Sequence, residues 1–220
     1  MTQMRAPTWA LVPLKASHHA KSRLAEVLDP RRRVQLFFAL AGRVIRALRE
    51  SDRIDAVGVV TSSREIASFA RTLGAVPILQ TIDVGMAPAL ELALHRLQAE
   101  HPARVLMLPG DLPLISEAAI EELFGAADAS PNVVLAPDCH RDGTNALLCT
   151  PPLVISPHFG QRSFERHVAA AQAVSVAARV VEIDALALDL DCADDLEYLR
   201  LHGGDGSMDL LDERTVAAGG

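Results

Sequence analysis

Nothing in this chain approaches the roughly 18 to 20 consecutive apolar residues that a bilayer crossing needs, so no membrane partner is expected. The start of the chain also has no apolar h-region followed by a cleavage site, and a soluble, cytoplasmic protein is the expectation. Cysteine is scarce. Cys139, Cys149 and Cys192 show no Cys-x-x-Cys spacing, and their odd number suits reduced thiols acting as small buried hydrophobes. A basic excess is missing too: Lys plus Arg is 21 against Asp plus Glu 28, a net charge of −7. That balance argues against a nucleic-acid surface, because phosphate neutralisation needs positive charge. Any anionic ligand must therefore be held by local basic residues or by a metal. There is no G-x-G-x-x-G or Walker-type glycine fingerprint, so neither a dinucleotide dehydrogenase nor a P-loop enzyme is supported.

What is present is a chain of 220 residues, 50% hydrophobic with mean hydropathy +0.19, enough to fill a substantial core. No internal repeat or linker divides it. One domain is expected over residues 1–202, followed by a mobile tail at 203–220 that is rich in glycine. Apolar runs at 8–13, 56–61, 76–79, 105–108 and 133–136 read as buried strands. Amphipathic stretches between them read as helices. The helix from Asp29-Pro30 has an N-cap and a first-turn proline, and Arg64 to Leu73 forms a second with Gly74 as its stop. Gly85 to about Glu100 is a third, and Ser116 opens a fourth. Alternation at this spacing predicts an α/β fold, a mostly parallel central sheet with helices on both faces. Ala146 to Cys149 is a further strand expected to run antiparallel. Phe159 is expected to begin a helix toward Ala173, with short apolar runs at 179–183 and 187–190 and a last helix at 196–201.

In Leu-Met-Leu-Pro-Gly-Asp-Leu-Pro-Leu, an apolar run stops at Pro109-Gly110 and delivers Asp111 to the carboxyl end of a central strand. Ligands bind at that edge in open α/β sheets. The plainer alternative is that Asp111 only caps a turn. A second acidic group tips the balance: Asp189-Leu190-Asp191 ends an apolar run, and in extended backbone side chains two apart share a face. Two such carboxylates about 4 Å apart repel by several kcal/mol at an effective dielectric near 20, so they call for a cation or a proton. Oxygen-rich sites of this kind suit Mg²⁺ shared with substrate phosphates. Asp194 and Asp195 fit better as the start of the last helix.

The loop after the first strand carries Lys15, Lys21 and Arg23 on the same sheet edge, and three cations beside an acidic site point to polyphosphate. A solvated surface loop is the other reading, and His18 and His19 fit there as exposed loop histidines. Thr144-Asn145 places a polar pair at a strand entrance. Gly160 and Ser163 stand near a helix N-terminus, where backbone N–H groups can bind an anion or Ser163 can serve as an ordinary cap.

Taken in order, Val-Pro-Leu-Lys-(x)₅-Lys-Ser-Arg-Leu, Pro-Gly-Asp-Leu-Pro-Leu, Ala-Pro-Asp with Gly-Thr-Asn-Ala-Leu, Phe-Gly-Gln-Arg-Ser-Phe and Asp-Leu-Asp-Cys-Ala-Asp-Asp-Leu form five motifs from about Leu11 to Leu196. In these the chain resembles the 2-phospho-L-lactate guanylyltransferase family of coenzyme F-420 biosynthesis. The resemblance implies a single-domain, three-layer nucleotidyltransferase fold. It implies that Asp111, Asp189 and Asp191 hold Mg²⁺ and serve catalysis, that Lys15, Lys21 and Arg23 lie on the nucleotide side, and that Thr144, Gly160 and Ser163 contact the acid. The implied partners are GTP and a small phosphorylated carboxylic acid, with a homodimer left open.

The family usually reads Gly-Leu-Asn-Ala-Ala-Leu where this chain has Gly85-Met86-Ala87-Pro88-Ala89-Leu90. Losing the Asn donor and acceptor and gaining a flexible Met favours 3-phospho-D-glycerate as the acid, ahead of 2-phospho-L-lactate and phosphoenolpyruvate. A nucleotidyltransferase acting on a sugar phosphate or on molybdopterin cofactor, and a non-catalytic nucleotide-binding module, are the rival readings.

Overall fold

The computed structural model describes residues 7–15, 21–127 and 130–202. His18, His19 and the 203–220 tail lie outside them. Seven strands form one sheet: β1 (Thr8–Pro13), β2 (Ala56–Thr61), β3 (Val76–Leu79), β4 (Arg104–Met107), β5 (Asn132–Pro137), β6 (Thr144–Thr150) and β7 (Ala178–Val180), in spatial order β3-β2-β1-β4-β6-β5-β7. Only β6 runs against the rest, between β4 and β5. The helices are α1 (Pro30–Glu50), α2 (Arg64–Thr72), α3 (Met86–Leu97), α4 (Glu117–Gly125), α5 (Ser163–Ala173), α6 (Asp184–Ala187) and α7 (Ala193–His202).

Local chemistry sets the helix starts. The Asp29 carboxylate accepts from the Arg32 N–H at 2.9 Å with Pro30 in the first turn, and Ser63 and Ser116 accept from Ile66 and Ala119 in the same way. Pro88 falls in the first turn of α3, where its missing N–H leaves no helical bond unmade.

Alternation along the strands then sorts the core into two layers. Ala10, Val12, Val57 and Val59 face α1, α2, α4 and α6, while Trp9, Leu11, Val60 and Leu147 face α3 and α5. A third cluster joins Leu24, Leu36, Leu40, Leu188, Leu190, Leu196 and Leu199, outside the sheet. It ties the turn after the basic loop to the segment before α7.

The later apolar runs take different conformations. In the run at 187–190, Ala187 ends a short helix, Asp184–Ala187, and Leu188 and Leu190 are buried in the third cluster rather than paired in the sheet. The run at 179–183 is a strand only over Ala178–Val180. Helix α5 starts at Ser163 rather than Phe159, because Gly160 (φ 117°) and Arg162 (φ 52°) have left-handed backbone that breaks the helix. Of the cysteines, Cys149 is fully buried, with burial pushing its thiol up to about 12, but Cys139 is exposed and Cys192 half-buried.

Gly110 makes the close approach that lets the loop after β4 lie on β1, since a Cβ there would stand 2.3 Å from Leu14 Cδ2. Gly110→Ala is expected to cost about 1–3 kcal/mol in thermal unfolding, the usual range for forcing a methyl into a packed site. The displaced Leu14 should also lower activity.

Candidate active site

The strand ends bring the two acidic segments together. Asp111 follows β4 through Pro109-Gly110, and its carbonyl accepts the Leu190 N–H at 3.0 Å, which fixes the Asp189 to Asp191 segment beside it. With Leu188 and Leu190 turned into the third cluster, the alternating Asp189 and Asp191 side chains turn toward Asp111 and Lys21. Asp195, in the first turn of α7, accepts from the N–H groups of Asp191 and Cys192 at 2.8 and 2.7 Å, the helix-start role expected of it.

Lys21 closes this arrangement. It has left-handed backbone (φ 56°) ahead of a 3₁₀ turn, Ser22–Leu24, whose Leu24 is anchored in the third cluster. Its Nζ donates to Asp111 Oδ2 at 2.6 Å and to Asp191 Oδ1 at 2.8 Å. Only 5% of the Lys21 side chain is exposed, against 25% for Asp111 and 44% for Asp191. Burial works against the ammonium, but the Asp111 and Asp191 carboxylates outweigh it and hold its pKa above the ordinary lysine value. Asp189 stands behind this pair. Burial first, then the negative charges of Asp111 and Asp191, push its carboxyl up to about 6, partly opposed by Asn145 Nδ2 at 3.5 Å from its Oδ1.

A cleft of about 250 Å³ opens here, lined by Leu14, Lys15, Lys21, Phe37, Met86, Gly110, Asp111 and Asp191. A smaller hollow beside it shares Pro13, Leu14, Lys15 and Met86 and adds Thr61, Ser62, Gln80, Asp83 and Gly85. Lys15 borders both, and its Nζ lies 3.8 Å from Asp83 Oδ2. Arg23 is exposed on the 3₁₀ turn.

The Thr144 region is assembled separately. Pro137 pairs with Thr144 and Ala136 with Ala146, so Asn145 is an extra residue, a bulge at the entrance of β6. The bulge lets neighbouring side chains diverge. Asn145 donates to the carbonyls of Leu186 and Ala187 at 2.9 and 3.3 Å, whereas the Thr144 hydroxyl meets His167 Nδ1 on α5 at 3.0 Å. The loop before β6 is organised by Asp138, whose carboxylate accepts the N–H groups of His140, Asp142 and Gly143. That loop is fastened in turn to the start of α5, where Phe164 N–H donates to the Asp142 carbonyl. Ser163 is buried, and its N–H donates to the Gly160 carbonyl at 3.1 Å. Two of the first N–H groups of α5 are thus already engaged, which narrows the backbone anion site expected there. Hydroxyl groups remain as donors.

Sequence reasoning missed four contributors. Asp138 shapes the loop, Gln80 and Asp83 line the smaller hollow, and His167 holds Thr144. His167 is four residues from Ser163, one helical turn, and that spacing was the available signal.

The donor chemistry fits a hard cation. Asp111 Oδ1 is buried with no hydrogen-bond partner, and two carboxylates flank the point held by the Lys21 ammonium. Among the described residues no group of three or more His, Cys, Asp or Glu stands in metal-holding geometry. Mg²⁺, however, is commonly held by one or two carboxylates together with substrate phosphates.

This sheet order and the grouping of polar residues at the strand ends define a nucleotidyltransferase fold. Solved structures agree: a protein of Desulfovibrio desulfuricans described as a nucleotide-diphospho-sugar transferase aligns with TM-score 0.75 at 13% identity, covering 93% of this chain and 91% of that one. A nucleotidyl transferase from Methanothermobacter aligns with TM-score 0.65 at 16% identity, over 89% and 97%. At these identities the likeness shows the fold. The family is shown by sequence: residues 8–212 match the CofC-like guanylyl transferases. A phosphoenolpyruvate guanylyltransferase of Rubrobacter xylanophilus is 40% identical over 89% of this chain and 95% of its own length. A 2-phospho-L-lactate guanylyltransferase of Methanothermobacter thermautotrophicus is 32% identical over 89% and 85%. The chain belongs to the CofC-like guanylyl transferase family and is an enzyme, a guanylyltransferase.

Asp189 gives a test of the electrostatics. Its folded pKa, about 6, lies above its ordinary 3.8, so the folded state keeps a proton that the unfolded chain loses. Stability from this group is therefore full below about pH 4 and falls as pH rises through about 6. Without divalent cations, Asp189→Asn should match the wild type at the acid end. It should gain on the order of 2 kcal/mol by pH 7, read by denaturant unfolding at each pH.

Proposed function

We propose that this enzyme joins GTP to a small phosphorylated three-carbon acid at the cleft between Lys15 and Asp191, releasing pyrophosphate. The observation that carries the reading is the pair of carboxylates, Asp111 and Asp191, bracketing a cation position beside a basic residue at the carboxyl ends of the strands.

An oxygen of the acid's phosphate attacks the α-phosphorus of GTP, a new P–O bond forms, and the bond to the β-phosphate breaks. No side chain needs to take a proton, so the protein's task is to place two anions in line and offset their charge. Lys15 borders the nucleotide side, with Arg23 on the neighbouring turn. Lys21, now bonded to Asp111 and Asp191, stands on the same edge of the cleft and would serve the triphosphate there. Asp111 and Asp191, with Asp189 behind, would hold Mg²⁺, which would supply charge neutralisation at the reacting phosphates. Thr144 and Ser163 hold the acid, with Gly160 shaping the turn beside them.

For the acid, phosphoenolpyruvate becomes the first choice, followed by 2-phospho-L-lactate and then 3-phospho-D-glycerate. The case for 3-phospho-D-glycerate rested on Met86 and Ala87 altering the acid pocket. Met86 instead lines the two spaces that Lys15 borders, on the nucleotide side. The relatives described above are named for acids with phosphate on carbon two. The guanylylated product suits the assembly of deazaflavin coenzyme F-420 in the cytoplasm.

Two measurements test this. Offered the three acids at equal concentration with GTP and Mg²⁺, the enzyme should form mostly the enolpyruvyl-diphosphoguanosine product; a glyceryl product in majority would restore the earlier order. Asp111→Asn should keep its circular dichroism and lose turnover by on the order of 100-fold or more, as removal of a charged group at a phosphoryl centre does. Near wild-type turnover at saturating Mg²⁺ would remove Asp111 from the chemistry.

A further inference from the structure

His167 is fully buried, belongs to none of the groups proposed to touch the phosphates, and has both ring nitrogens engaged. On one side the His158 backbone N–H donates to Nε2 at 2.7 Å. On the other, Nδ1 lies 3.0 Å from the Thr144 hydroxyl oxygen. A backbone amide can only donate, so Nε2 must be the unprotonated nitrogen, and a neutral ring then carries its hydrogen on Nδ1. Thr144 Oγ1 must accept that hydrogen. Its own proton is left to be donated elsewhere.

We propose that His167 is a positioning residue that fixes the Thr144 hydroxyl as a permanent donor toward the anionic acid substrate. The inference rests on the reading that Thr144 contacts the acid. Carboxylate and phosphate oxygens only accept, so a hydroxyl free to present either a lone pair or a proton would be half wasted on them. The need is sharpened by the α5 N-terminus, where the N–H groups of Ser163 and Phe164 are already spent on the carbonyls of Gly160 and Asp142. Without those amides, the Thr144 and Ser163 hydroxyls carry more of the recognition.

The surroundings keep the ring neutral. Burial, with His158 and Arg166 nearby, lowers the His167 pKa to about 3, and Phe159 packs edge-on against the ring at 5.1 Å. A second proton, on Nε2, would oppose the His158 N–H. Burial and the positive neighbour thus keep the ring neutral, and the amide sets its tautomer.

The experiment begins with the wild-type full chain, so it does not depend on any variant folding. ¹⁵N-detected NMR of the histidine rings at neutral pH should show His167 with Nδ1 protonated and Nε2 bare. An Nε2–H tautomer or an imidazolium would overturn the role given to His167 whatever Thr144 does. Variants then read the consequence. His167→Asn keeps an amide donor near the Nδ1 position, whereas His167→Gln reaches only toward the Nε2 position. The KM for the acid should rise about tenfold in His167→Gln, the cost of one hydrogen bond to a charged group, with the KM for GTP unmoved. His167→Asn should restore acid use, and equal acid KM in the two variants would overturn the proposal. Thr144→Val should raise the acid KM like His167→Gln, and Thr144→Ser should not. If Thr144→Val leaves the acid KM unchanged, the acid pocket itself is misplaced, an outcome distinct from a wrong tautomer.

Discussion

Three carboxylates in one corner of a protein cannot stay ionised without a positive charge among them. Asp111, Asp189 and Asp191 meet this constraint by different means. Asp111 and Asp191 share the Lys21 ammonium, and Asp189, set further back, has its pKa raised toward neutrality. Breaking such a partly buried pair from one side leaves an uncompensated charge, which costs more than the pair contributes when intact. The lysine therefore holds the site together before any substrate arrives.

The sheet serves this arrangement through one irregularity. Six strands run the same way and would present similar edges, but β6 is reversed and enters with a bulge at Asn145. The reversal puts the beginning of a strand, rather than its end, next to the end of β4. The bulge sends Asn145 toward the acidic segment and Thr144 toward α5. One peptide bond thereby joins the residue that meets His167 to the one that reaches the Asp189 segment.

Much of this could be read from the sequence, and the misses have physical causes. Strands β1, β2 and β3 and helices α1, α2 and α4 were legible because their apolar periodicity agrees with their caps. Asp111 was legible because Pro109 and Gly110 end a buried run abruptly. The Asp189 to Asp191 segment was legible in which side chains share a face, but nothing in it showed that it lies outside the sheet. Leu188 and Leu190 alternate as a strand would, but they fill a cluster beyond the sheet edge. The meeting of Lys21 with Asp111 and Asp191 was not legible, since it spans 90 and 170 residues and depends on how the loop folds back. His167 was missed because its one-turn spacing from Ser163 does not say what the ring meets. Its meaning comes from the amide and the hydroxyl on either side.

The third apolar cluster has a consequence for how the enzyme comes into being. Leu24, beside the lysine turn, and Leu188 and Leu190, flanking Asp189, are buried with Leu196 and Leu199 of α7. Early and late parts of the chain thus meet in one small hydrophobic knot, and closing so long a loop is entropically slow compared with forming local helices. On a ribosome the sheet from β1 to β4 can pair while Asp191 is still unmade. Asp111 is then in place with neither its lysine anchored nor its partner carboxylate present. The bond from Lys21 to Asp191 can form only after the chain beyond β7 is made, when the final helix packs down and completes the knot.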